Sequence, residues 1–103
     1  MKLVIIESPY AGNVALNTEY ARLCLKDALL LGEAPLASHL LYTQVLDDLV
    51  PTEREQGIAA GLAWRTVMDY AVFYTDLGWS RGMHAAKEKY VKEGIPFIER
   101  RIY

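Results

Sequence analysis

Two stretches of the chain gather side chains suited to holding a small polar ligand. One is Glu7-Ser8-Pro9-Tyr10-Ala11-Gly12 and the other Thr75-Asp76-Leu77-Gly78-Trp79-Ser80-Arg81-Gly82-Met83. Ser8 and Ser80 bring hydroxyl donors and Arg81 a positive charge, while Gly12 and Gly82 let backbone amides come close to phosphate or another anion. Asp76 suits a ribose hydroxyl or a proton transfer, Glu7 suits the same base chemistry, and Tyr10 and Trp79 suit stacking on a base. Each residue also has a plainer reading. The glycines serve as turn formers, Ser80 and Asp76 as caps, Glu7 as a solvated strand end and the two aromatics as packing residues. His39 is a further candidate contact, whereas His84 reads as a solvent-facing helix residue. Neither GxGxxG nor GxxxxGK[ST] occurs, so the usual dinucleotide and P-loop fingerprints are missing.

The surrounding elements alternate between strand and helix. Leu3 to Ile6 is an unbroken aliphatic run, which predicts a strand buried on both faces. Asn13 is a plausible N-cap for a helix reaching Leu31 and stopped by Gly32, with Leu16, Tyr20, Leu23 or Cys24, and Leu31 as its apolar stripe. Pro35 to Ser38 predicts a short second strand, and 39–48 a loop with a helical turn. Thr52-Glu53-Arg54-Glu55 has the pattern of a capping box for a helix through Val67. Its small residues, Gly57, Ala59, Ala60, Gly61 and Ala63, suit close approach to a sheet or a partner helix. Tyr70 to Thr75 predicts another buried strand. A last helix carries Ala85, Ala86, Tyr90 and Val91 on its packed side and closes at Gly94, and Ile95 to Ile98 predicts a final strand with Pro96 at its start or edge. The pattern is α/β, a parallel sheet of four to five strands with helices on both faces. In such sheets ligands bind beyond the carboxyl ends of the strands, where strand order reverses, and that rule selects the two loops above.

Composition narrows the function classes. At 103 residues the chain reads as one domain, 1–103, and 52% hydrophobic with 23% charged residues matches a globular core rather than disorder. A net charge of −2 argues against binding duplex nucleic acid through a basic surface. Arg100, Arg101 and Lys92 form a minor basic cluster that reads as solvated surface. The single cysteine, Cys24, lies on an apolar helix stripe and reads as a buried, inert thiol. No Cys, His or carboxylate group has metal-ligand spacing, so neither a metal nor a cofactor is expected. The amino-terminal apolar run is too short for a signal peptide, and no stretch approaches the ~18 apolar residues of a membrane span. A cytoplasmic protein without membrane contact is the expectation.

At the two loops the sequence resembles the nucleoside 2-deoxyribosyltransferase-like group, which includes nucleotide N-glycoside hydrolases and small phage or bacterial proteins of unassigned role. The residues carrying the resemblance are Ile5 to Gly12 with Asn17, Tyr20 and Ala21, then Tyr74 to Met83, and the closing Gly94-Ile95-Pro96. It implies a flavodoxin-like or Rossmann-like three-layer sandwich, a nucleoside or nucleotide at the switch point, and an oligomer whose neighbour completes the pocket. It also implies a covalent mechanism in which a Glu nucleophile takes the deoxyribosyl group and expels the base. That Glu belongs four residues after the glycine of the SxG turn, where this chain has Ala86. Glu88 is two positions further and about 200° around the helix axis. The leading expectation is therefore a nucleotide- or nucleoside-binding protein, sequestering or sensing its ligand through Ser8, Tyr10, Gly12, His39, Asp76, Trp79, Ser80, Arg81, Gly82 and Met83. An N-glycosidase or deoxyribosyltransferase using Glu7 or Asp76 as a displaced carboxylate is the alternative. A non-enzymatic assembly protein, with the Ala/Gly-rich helix after Pro51 as its contact face, is the third reading, and a homo-oligomer is expected under all three.

Overall fold

Val4, Ile5 and Ile6 are all buried, two pointing to one face of a sheet and one to the other, which is why the first strand reads as a continuous aliphatic run. In the computed structural model, which describes residues 1–103, that strand is β1 (Leu3–Glu7). It is followed by α1 (Val14–Leu30), β2 (Ala34–Leu36), a single-turn α2 (Ser38–Leu41), α3 (Pro51–Ala63), β3 (Tyr70–Tyr74), α4 (Arg81–Glu93) and β4 (Phe97–Arg100). The four strands are parallel in the order β2-β1-β3-β4. Val4, Ile6, Val72 and Tyr74 pack against Tyr20, Cys24 and Ala28 of α1. On the opposite face Ala71 and Phe73 pack against Met83, Ala86 and Tyr90 of α4, with Leu62 of α3 alongside. This is a three-layer α/β sandwich with flavodoxin-like strand order. No helix is long and apolar enough to cross a membrane.

Several elements differ from their sequence reading, each for a local reason. The buried stripe of α1 is Asn17, Tyr20, Ala21, Cys24 and Ala28, not the leucines, and Leu16, Leu23 and Leu31 are exposed. Small side chains at 21, 24 and 28 let the helix lie close to the sheet, which pushes the longer leucines outward. β2 begins and ends earlier than expected, because Ser38 already opens α2, and Tyr42–Gln44 continues it as a 3-10 turn. Helix α3 starts at Pro51, whose fixed φ suits the first helical position, so Val50 rather than Thr52 is the N-cap. The capping box expected between Thr52 and Glu55 does not form, and the Glu53 carboxylate accepts the Asp47 amide. The helix ends at Ala63, with a 3-10 turn over Trp64–Thr66. On α4, Val91 and Ala85 are exposed and Met83 takes the buried place. β4 runs through Arg100, two residues later than read, because Ile95 and Pro96 only lead into it.

Arg100 is consequently not a solvated surface charge. Its guanidinium grips the buried Glu33 carboxylate in a bidentate pair, at 2.8 and 2.9 Å, and donates to the Tyr74 hydroxyl. Tyr70 donates to the same carboxylate, and Tyr74 donates to Asp27 of α1. The contact with Arg100 holds the Glu33 carboxyl below the ordinary carboxylate range. A polar network thus occupies the sheet face beside α1, where a larger sandwich of this type would place another helix.

Candidate functional site

The chain leaves β1 toward α1 and β2 on one side, and leaves β3 toward α4 and β4 on the other. Strand order therefore reverses between β1 and β3, whose ends are in register with Glu7 beside Phe73. Both loops singled out in the sequence leave the sheet at this point.

The β1 loop is held from within. Gly12 has φ +96°, a left-handed turn that a side chain would strain, and Asn13 caps α1 by accepting the Leu16 amide. The buried Asn17 amide donates to the carbonyls of Tyr10 and Ala11 at 3.0 and 3.1 Å, pinning the loop to the first turns of α1. Ser8 is buried, and its Oγ shares a 2.9 Å hydrogen bond with His39 Nε2. Tyr10 meets the edge of the same imidazole at 6.3 Å between ring centres. Ser8, Tyr10 and His39 thus form one cluster, as their shared position beyond the strand ends implied. Burial pushes the His39 pKa down to about 4, so near neutral pH its ring is uncharged and offers one donor and one acceptor.

Glu7 points to the other face of the sheet. Its Oε1 accepts a hydrogen bond from the Tyr90 hydroxyl at 2.8 Å. Tyr90 is one turn beyond Ala86 on the buried side of α4, so the carboxyl faces the helix surface that carries Ala86. Burial pushes the Glu7 carboxyl up to about 7, against the lowering effect of the Tyr90 bond. The side chain is only half-buried, so this is a reachable acid that titrates near neutrality and not a solvated strand end.

On the β3 side, Ser80 caps α4, its Oγ accepting the Met83 amide while the Ser80 amide is donated to Met83 Sδ. Met83 is a core residue, so neither its side chain nor its amide is open to a ligand. Gly78 has φ +84° and donates its amide to the Thr75 carbonyl, closing the turn out of β3. Arg81 and Gly82 begin the helix exposed, and Arg81 makes no ion pair within the chain. A Cβ at Gly82 would meet only Ser80 Oγ, at 3.9 Å, so neither space nor backbone angle requires glycine there.

Two expected ligand contacts are committed elsewhere. Asp76 accepts the Tyr20 hydroxyl at 2.6 Å and the amides of Ile102 and Tyr103 at 2.9 and 3.1 Å, and Arg101 stands 3.8 Å away. Burial acts to raise its pKa, but the Tyr20 bond, the two amides and the Arg101 charge outweigh it and hold the carboxyl below its ordinary value. Asp76 is the anchor of the carboxyl-terminal tail. Trp79 stacks on Phe73 at 4.8 Å and on His84 at 5.2 Å, with Lys87 Nζ over its ring. It belongs to the α4 wall, which leaves Tyr10 as the ring facing the loops. Cys24 is buried and its thiol is pushed up to about 12, as expected of an inert core cysteine. No three His, Cys, Asp or Glu side chains converge as metal ligands.

Residues 2–100 match the family model described as a domain of unknown function, DUF7768. The chain is a DUF7768 protein. No curated protein and no solved structure matches it. The matched span runs from the start of β1 to the end of β4, so the DUF7768 unit contains the whole sheet and both loops.

Proposed function

We propose that this DUF7768 protein binds a nucleotide or nucleoside at the crevice between the ends of β1 and β3. The observation that carries the reading is the strand order, which puts the switch point between those strands and two glycine-containing polar loops beside it. The phosphate end is assigned to the first turn of α4, where Arg81 supplies charge and Gly82 leaves the amides bare. Glycine there sacrifices helix propensity with no compensating fit inside the chain, and close approach of an anion accounts for it. Ser8 and neutral His39 are assigned to polar groups of the sugar or base, and Tyr10 to the base face. The resemblance to nucleoside 2-deoxyribosyltransferase-like proteins supports the same choice of ligand.

The Glu7–Tyr90 pair favours a second reading, cleavage of the glycosidic bond. With Asp76 closed off by the tail, Glu7 is the one carboxylate of the two that remains reachable. The Glu7 carboxylate takes a proton from an attacking water as the water oxygen bonds to the sugar carbon, the carbon–nitrogen bond breaks with its electrons leaving on the base, and the proton held by Glu7 passes to the base through solvent. Incubation with nucleosides, deoxynucleotides and ADP-ribose-type nucleotides, followed by mass spectrometry of bound and released species, separates the readings. Intact retained nucleotide supports binding alone. Free base that disappears in Glu7→Gln supports cleavage, and neither retention nor cleavage removes both.

A further inference from the structure

We propose that the exposed flank of α1 is a homodimer interface, in which α1 of a second copy lies antiparallel to the first, beside the exposed Ile98 of β4. The inference is separate from the nucleotide reading.

The two helical layers are unequal. α3 and α4 share one face of the sheet, whereas α1 is the one long helix on the other. α1 reaches toward β3 through Tyr20, bonded to Asp76, and Asp27, bonded to Tyr74. At about 100° per residue, the positions that come next around the helix on that side are Leu16, Leu23 and Leu30. They are 49%, 42% and 78% exposed. Their seven-residue spacing drifts by only ~20° per step, so they form one straight apolar stripe. Across the gap Ile98 of β4 pairs in register with Val72, which faces α1, and Ile98 is 43% exposed on that same side. A helix laid between the stripe and Ile98 would bury both.

Charge selects a second copy as the occupant. Glu19 and Lys26 are also seven residues apart, lie beside the leucine stripe, are exposed, and make no ion pair within the chain. When two such helices run in opposite directions about Leu23, Leu16 of each meets Leu30 of the other, and Glu19 of each comes near Lys26 of the other. The pattern complements itself under a two-fold axis, as a symmetric dimer contact requires. The alternative assembly face is used up internally, because Gly57 and Gly61 of α3 already pack against Tyr42, Leu46 and Ser38.

Analytical ultracentrifugation over a concentration series at low salt tests this on the wild type, E19K, K26E, the double variant E19K/K26E, and L23E. The expected result is a wild-type dimer, weakened roughly tenfold or more by either single charge reversal, since symmetry repeats each like-charge contact. The double reversal should recover wild-type affinity, and L23E should be monomeric. All these positions are exposed, so circular dichroism should be unchanged. A wild-type monomer throughout overturns the proposal, whether some other partner or none covers the face. So does a dimer in which the double reversal is no tighter than the single ones.

Discussion

Burial gives the small set of polar side chains around the strand ends unequal roles. Glu7 is the clearest case. Its folded pKa of about 7 lies above the ordinary 4.5, so the folded state binds the extra proton between those values. Its contribution to stability is therefore full below about pH 4.5, falls as pH rises, and is lost above about pH 7. Glu7→Gln should remove this slope, worth at most about 3 kcal/mol, in denaturation curves compared across that range. His39 acts in the opposite sense, since its lowered pKa favours the fold above the ordinary 6.5 and costs stability as pH falls toward 4. Asp76→Asn should destabilise by about 1–3 kcal/mol, because the tail amides and the Tyr20 hydroxyl lose a charged acceptor, and should leave ligand affinity nearly unchanged. Calorimetric melting beside a ligand titration checks both halves. At Gly82 the two effects separate in opposite directions. Gly82→Ala should raise stability by up to ~1 kcal/mol while weakening nucleotide binding, because helix propensity improves as the anion is pushed away. Unchanged affinity would return Gly82 to a turn role.

The elements were legible where pattern and packing agree. β1 and β3 were readable because strands buried on both faces need unbroken apolar runs, and the ends of α1 and α4 because Asn13, Ser80 and Gly94 carry their own capping chemistry. On the buried face of α1, Tyr20 and Cys24 were readable from the apolar stripe and the rest was not. Alanines and a cysteine face the sheet while leucines face outward, a choice made by helix-to-sheet distance rather than by side-chain polarity. The position of the two loops at the switch point was legible from the crossover rule. Glu7 with Tyr90 and Asp76 with the tail were not, since each joins residues far apart in sequence. The buried Arg100–Glu33 pair was missed for the same reason, because a basic residue near the chain end looks solvated until its partner is known. Helix α3 depends on close contact with α2, which gives a direct contrast. A Cβ at Gly61 would lie 2.7 Å from Ser38 Oγ and 3.2 Å from Ser38 Cβ, whereas at Gly57 it would meet the movable Leu46 Cδ1 at 3.3 Å. Gly61→Ala should cost about 1–3 kcal/mol and Gly57→Ala much less, as read from paired urea denaturation curves.

For the molecule as a whole, the strand order separates its two surfaces. The crevice beyond β1 and β3 lies at the carboxyl edge of the sheet, and the leucine flank of α1 runs along its side. A ligand at the first and a second copy at the second do not compete, so nucleotide affinity should be independent of protein concentration. With a net charge of −2 there is little general attraction for polyanions, and phosphate recognition falls to Arg81 and the bare amides at the start of α4. The most direct test is to map amide chemical shifts of the labelled protein by NMR while titrating a deoxynucleoside monophosphate. The account predicts saturable shifts concentrated at residues 8–12, at His39 and at residues 80–83, with the parent nucleoside sparing the last group. Shifts absent from both loops, or saturable binding centred elsewhere on the surface, would contradict it.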